Sequence, residues 1–282
     1  MSSEIEWFGQ TLDPQLRSLE LFGLADKHTG NQFSDQDGWE NAILYIKNKP
    51  QARAILVGDL LDSVLRDSKG DVYSQTMNPQ YQRDRITDDL RPIASKLLGA
   101  TTGNHEDRIY ERTGVDLTSD IAKALAIPYD PDGIFLRIAF GDRCHRKLGE
   151  PFVYWVYATH GYGGARTKAA KAVKVERTAQ FVRCDVAMMA HDHDANIAPA
   201  EMLEPDEHHT RQENGWTKGN VKAHRTLLVK CSAFLKWGGH GRRKGFSPNT
   251  LIPPTVLLGG QDKPWPMPTH LRDKRCEVRG IL

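Results

Sequence analysis

Apolar residues along this chain come in short runs, and most of those runs end in a polar motif. Leu19 to Ala25 reads as a strand and ends in Asp26-Lys27-His28. Trp39, Ile43 and Ile46 then recur at helical spacing, with Ser34 or Asp35 to cap the helix and Pro50 to close it. Ala54 to Val57 is continuously apolar, as a strand buried on both faces is, and it delivers Gly58-Asp59-Leu60-Leu61-Asp62. After a polar excursion from Asp67 to Met77, Ile86, Leu90, Ile93 and Leu97 mark a second helix. Pro92 lies inside that pattern and predicts a kink or break. Leu97 to Thr102 leads into a turn, Gly103-Asn104-His105-Glu106.

Strand, helix, strand, helix, strand, with a polar motif at each strand end, predicts a parallel sheet with covering helices and ligands at its carboxyl edge. Further on, Ser119 caps a predicted short helix carrying Ile121, Ala124 and Leu125. Ile134–Phe140 and Phe152–Tyr157 alternate as an antiparallel pair of half-buried strands, the second leading to His160. Ala165 to Val182 is helical by composition, with Ala165, Ala169, Ala172 and Val173 on one side and Lys168, Lys171 and Lys174 on another. Val186 to Met189 delivers His191 and His193.

Beyond Ala200 the composition shifts. Glu204 to Gly219 is polar and predicts a loop, while Thr226–Cys231 and Thr255–Leu258 predict closing strands. Gly238 to Gly245 is glycine-rich and basic, and Pro264, Pro266 and Pro268 predict an extended tail. Met1 to Leu16 has no clear period. Residues 1–200 thus carry every polar motif, and residues 201–282 complete the same domain.

Composition narrows the setting. The chain has 282 residues and a formal charge of +2, so overall charge names no partner. Cys144, Cys184, Cys231 and Cys276 form no Cys-x-x-Cys pair, which argues against a zinc ribbon and for reduced thiols. The N-terminus lacks the pattern of a secretory signal, and no run approaches the roughly 18 apolar residues of a membrane helix. The expectation is a cytoplasmic protein without membrane contact.

Carboxylate, amide oxygen and imidazole suit manganese, iron, zinc or magnesium, with nickel a further option, rather than a soft thiolate site. Asp26 and His28 are two residues apart and can reach one ion; His191 and His193 share that spacing. Asp59 has two oxygens and can bridge two ions. A pair about 3.5–4 Å apart clamps the attacking and leaving oxygens of a phosphoryl displacement.

Asp-x-His, Gly-Asp-x-x-Asp, Gly-Asn-His-Glu, a lone His and His-x-His, in that order over residues 26 to 193, resemble the calcineurin-like metallophosphoesterases. The resemblance implies an α/β fold, a two-sheet β-sandwich of mixed sheets flanked by helices. It implies one ion on Asp26, His28 and His193, another on Asn104, His160 and His191, and Asp59 as the bridge, with manganese the first choice of metal. His105 would bind no metal and would assist the leaving oxygen while a metal-bridging hydroxide attacks. Two positions depart from the family pattern. Ala190 precedes His191 where glycine is usual. Ser63 follows the Gly-Asp-x-x-Asp motif where the family's protein Ser/Thr phosphatases carry arginine, which argues against that subclass.

Lys168 and Lys171, with His240, Arg242, Arg243 and Lys244 of the basic loop and Trp237 as a stacking face, suit a polyanion. The expected substrate is nucleic acid. Alternatives are a small-molecule phosphoesterase acting on nucleotides, cyclic nucleotides or monoesters, and a non-catalytic module that keeps the fold. His145, His208, His209 and His270 read as surface residues, and His224 has no role the sequence argues.

Overall fold

The computed structural model describes residues 5–66, 68, 70, 72–141, 151–239, 242, 245, 247–248, 251–260 and 278–282; the side chains of residues 207–209 and 278 are outside that description. The elements in order are β1 (Trp7–Thr11), β2 (Ser18–Leu24), α1 (Gln36–Asn48), β3 (Ala52–Val57), α2 (Pro79–Leu90), β4 (Leu97–Thr101), α3 (Asn104–Thr113) and α4 (Leu117–Leu125). They continue with β5 (Ile134–Phe140), β6 (Phe152–Thr159), α5 (Lys168–Ala179), β7 (Val186–Met189), β8 (Asn196–Glu213), β9 (Trp216–Lys230), β10 (Thr255–Gly259) and β11 (Val278–Ile281).

The strands form two sheets, one of order β1-β5-β6-β7-β9-β8 and one of order β11-β10-β2-β3-β4. Both are mixed. The strands β2, β3 and β4 run parallel, with β10 antiparallel to β2 and β11 antiparallel to β10. In the other sheet β6, β7 and β9 run parallel, and β5 pairs antiparallel with β6 as the alternation predicted.

Burial explains the layering. Leu19, Leu21, Ile55 and Val57 of one sheet meet Leu136, Ile138, Val156 and Met188 of the other in the inter-sheet core. The opposite face of the smaller sheet, with Leu24, Ala54 and Leu56, is covered by Trp39, Ile43 and Ile46 of α1 and by Ile86, Leu90 and Ile121. The outer face of the larger sheet, with Ala187, Met189 and Leu228, is covered by Val175 and Ala179 of α5. This helix–sheet–sheet–helix sandwich is the fold that the resemblance implied.

Several expectations need correction. The α-helix carrying Ile86 and Leu90 ends at Leu90 and continues as a 3₁₀ helix over Arg91–Lys96, because Pro92 has no amide hydrogen to extend the α pattern. The helix after Gly114 is capped by Asp116, whose carboxylate accepts from Ser119 N at 2.8 Å, and not by Ser119. The segment expected as a loop from Glu204 to Gly219 belongs to the long β8–β9 hairpin. Its distal half is largely polar and solvated, so no alternation marks it. The signal was Asn214-Gly215, whose positive φ values of 52° and 80° suit a two-residue hairpin turn. The strand β1 pairs with β5 although its sequence is nearly all exposed.

Candidate metal centre

The motif residues come from strand ends of both sheets. Asp26 and His28 follow β2, Asp59 follows β3, Asn104 opens α3 just after β4, His160 follows β6, and His191 and His193 follow β7. Parallel strands bring these ends to one edge of the sandwich, as open α/β sheets do for ligands generally. The loops meet closely. A Cβ on Gly103 would stand 2.1 Å from Asp59 N, and one on Gly58 would stand 2.7 Å from His160 Nδ1. Only glycine fits at either place.

Among the described residues three candidate ligand groups assemble, namely Asp26–His28–His193, Asp59–His160–His191 and His28–Asp59–His105. His28 Nε2 lies 3.1 Å from His193 Nε2, and His193 Nε2 lies 3.3 Å from Asp26 Oδ1. Across the site His160 Nε2 is 3.3 Å from His191 Nδ1, 3.3 Å from Asn104 Oδ1 and 3.2 Å from Asp59 Oδ2. The same Asp59 oxygen is 3.9 Å from His28 Nε2, so it stands between the two groups.

The far side of three of the four imidazoles expected to hold metal is already occupied. His28 Nδ1 lies 3.2 Å from Asp62 Oδ1, His160 Nδ1 lies 2.8 Å from the Val57 carbonyl, and His191 Nε2 contacts the Gly163 carbonyl. Donation there leaves a lone pair on the nitrogen that faces inward. Paired inward lone pairs and a carboxylate are mutually unsatisfied unless a cation or a proton sits among them. Asp26 Oδ1 is itself buried and, apart from the approach of His193 Nε2, has no hydrogen-bond partner among the described residues. The residues present therefore fit divalent cations. Burial pushes the proton affinity of His28 and His191 down, which favours the neutral, ligating form.

Backbone strain gathers at the same atoms. Asp26, His28, Asp59, His191 and His193 have φ values of 50°, 48°, 50°, 71° and 52°. Each left-handed residue costs on the order of 1 kcal/mol or more. The surroundings hold them there. Glu106, whose role the sequence did not reveal, accepts from Asp59 N at 3.0 Å, Leu61 N at 2.8 Å and Gly103 N at 3.1 Å. It ties two motif loops together. Burial, then the nearby Asp59 charge, pushes its pKa up to about 7. Asp62 accepts from His28 and also from Asn31 Nδ2 at 3.1 Å and Gln75 Nε2 at 2.5 Å. Burial opposes its charge, but the histidine contacts outweigh it and hold the carboxyl well below its usual range.

The lysine row on α5 is divided. Lys168 is exposed, whereas Lys171 and Lys174 are buried. Lys171 Nζ lies 3.3 Å from Asp194, and Lys174 Nζ lies 2.5 Å from Asp192. Val173, expected on the apolar face, is exposed at 40%. The helix turns its lysines inward because Asp192 and Asp194 alternate with His191 and His193 and need counter-charges.

A cavity of about 440 Å³ opens over the ligand groups. His105, Arg108, Phe33, Lys171, Lys236 and Trp237 contribute to its wall. Arg242 lies over the Trp237 ring at 5.8 Å. His240, Arg243 and Lys244 lie outside the described residues, as do the side chains of His208 and His209 and all of His145 and His270. His224 Nε2 lies 3.0 Å from the Cys184 carbonyl, a structural contact.

Fold and site together are a two-sheet α/β sandwich with Asp and His side chains clustered at one edge that could hold metal. No family model and no curated protein matches the chain. Among solved structures it is similar to a predicted phosphoesterase from Streptococcus pneumoniae, with 11% identity, a TM-score of 0.35, and 88% of this chain and 86% of that one covered. It is similar to zinc-complexed Vps29 from Entamoeba histolytica, with 10% identity, a TM-score of 0.33 and coverages of 93% and 98%. For the nuclease MPE of Pseudomonas putida the values are 12%, 0.34, 84% and 82%.

Proposed function

We propose that this protein is a two-metal phosphodiesterase that hydrolyses nucleic acid in the cytoplasm. The observation that carries the reading is the pair of facing imidazole nitrogens on either side of Asp59 Oδ2, His28 with His193 and His160 with His191. Asp26, His28 and His193 would hold one ion, and Asn104, His160 and His191 the other, with Asp59 between them. When bound, two divalent cations, manganese first, would acidify a water and neutralise the phosphoryl oxygens.

The chain's own groups supply the rest. His105 Nδ1 lies 2.7 Å from the Asp62 carbonyl, which fixes the ring and leaves Nε2 on the side of Asp59, 4.0 Å from its Oδ2. In hydrolysis the water oxygen bonds to phosphorus, the ester P–O bond breaks, and His105 Nε2 gives a proton to the departing oxygen. Aromatic Phe33 and Trp237 beside cationic side chains suit a nucleotide, with bases stacking and phosphates paired.

The deciding experiment incubates the protein with manganese and end-labelled single- and double-stranded DNA, beside a His105→Asn variant. Cleavage that the variant loses supports the reading. A second reading, a small-molecule phosphoesterase, is favoured by the cavity's modest volume of about 440 Å³. It predicts turnover of a small phosphate ester without DNA cleavage. Deleting Arg242 to Lys244 separates the two, since only nucleic-acid cleavage should weaken more than that of a small chromogenic diester. A non-catalytic module would hold no metal after purification in manganese-containing buffer and would turn over neither substrate.

A further inference from the structure

His105 and Arg108 are three residues apart on α3, so they share a face of that helix, one turn apart. Both line the cavity. The chemistry proposed above uses His105 and leaves Arg108 without a task. Three described cations line that cavity, Arg108, Lys171 and Lys236. Lys171 is paired with Asp194 at 3.3 Å, and Lys236 with Asp35 at 3.1 Å. Arg108 has no ion pair among the described residues, and its Nη1 is shielded from solvent without a hydrogen-bond partner. Arg83, on α2, pairs instead with Asp84 and Asp120.

A shielded guanidinium nitrogen with nothing to bond is a cost to the folded protein. Arg108 as a whole is only half-buried and lines the cavity, so an anion held there would supply the missing counter-charge. A planar guanidinium matches phosphate oxygens in pairs, which an ammonium does not. The position along α3 says which phosphate. Asn104 points at the metal groups and His105 follows it, so the scissile phosphate belongs at that end. Arg108 sits one helical turn further on, roughly 5 Å along the axis and away from the candidate ligand groups.

We propose that Arg108 is a second anion subsite, which takes a non-scissile phosphate on the side of the departing group. This deepens the proposed function and rests on its placing of His105 at the leaving oxygen. Its consequence is a substrate class. Esters with a further phosphate beyond the broken bond, as in a nucleic-acid strand, gain from Arg108; simple monoesters and cyclic nucleotides do not.

The test is binding, measured by calorimetry with manganese in a His105→Asn background so that neither probe is turned over. The probes are thymidine monophosphate and thymidine bisphosphate, with a phosphate on each hydroxyl. The protein with Arg108 is expected to prefer the bisphosphate by about tenfold or more. Arg108→Gln should bring that ratio close to one, and Arg108→Lys should give an intermediate value. Equal affinity for both probes when Arg108 is present, or an unchanged ratio in Arg108→Gln, overturns the subsite. A preference that Arg108→Gln abolishes, in a protein whose unmutated form cleaves no ester, would end the catalytic reading and leave the subsite standing.

Discussion

Lys230 is wholly buried at the end of β9, and its Nζ lies 2.7 Å from the carboxylate of Asp192, the residue between the two metal-site histidines. The same nitrogen lies 2.7 Å from the Ala190 carbonyl. With Lys174 on the other carboxylate oxygen, Asp192 holds the His191 and His193 backbone in its left-handed conformation.

Removing that carboxylate should therefore cost far more than one hydrogen bond. Asp192→Asn leaves Lys174 and Lys230 facing an amide in a dry site, and a loss of about 3–5 kcal/mol is expected. Urea denaturation at neutral pH measures it. Adding Lys230→Met to Asp192→Asn should recover part of the loss, and a further loss on combination would contradict the clamp.

Glu106→Gln tests the tie between loops. The carboxylate accepts three backbone N–H groups, and an amide must turn a donor toward at least one of them. Manganese affinity is expected to fall by roughly 10–100-fold, the usual scale for groups that orient ligands. Calorimetric titration reads this without any turnover, and wild-type affinity would show that Glu106 does not position Asp59.

Protons should stand in for metal in the stripped protein. Burial opposes charge on His160 and on His105, but in both the Asp59 carboxylate outweighs it. Their pKa values are held up at about 10 and about 9, against 6.5 for the free side chain. A raised folded pKa adds stability that is complete below 6.5 and is lost as pH climbs through 9 to 10. The melting temperature of metal-free protein should fall over that window, and saturating manganese should flatten the fall. Manganese uptake near pH 8 should also release protons, because a ligating imidazole is neutral. Calorimetry in two buffers of different ionisation enthalpy counts them, and a count of zero would refute the substitution.

Cys231 is buried as a free thiol, and burial pushes that thiol up to about 12. The thiolate is the reactive form, so Cys231 should resist an aromatic disulfide reagent in the native state and react once unfolded. Peptide mapping of the labelled protein identifies the sites. Native labelling of Cys231 would mean that the inter-sheet core opens.

Much of the candidate centre was legible because its residues are set by local order. An apolar run long enough for a buried strand, followed by a polar residue, places that residue at the strand's carboxyl end. This located Asp26, Asp59, Asn104, His160 and His191 in the sequence, and parallel pairing then had to bring those ends to one edge. The β8–β9 hairpin was legible only at Asn214-Gly215, since strands solvated on both faces carry no alternation.

What tertiary structure alone decided concerns partners remote in the chain. Nothing local to α5 says that Lys171 and Lys174 turn inward and Val173 outward; Asp192 and Asp194, on the loop after β7, decide it. Glu106 looks like an ordinary first-turn carboxylate of a helix until Asp59 and Leu61 present their amides to it. Arg108 resembles any helical arginine until the fold sets no carboxylate against it among the described residues. Periodicity reports which positions are apolar, but the burial of a charge depends on whether an opposite charge or a donor meets it across the fold.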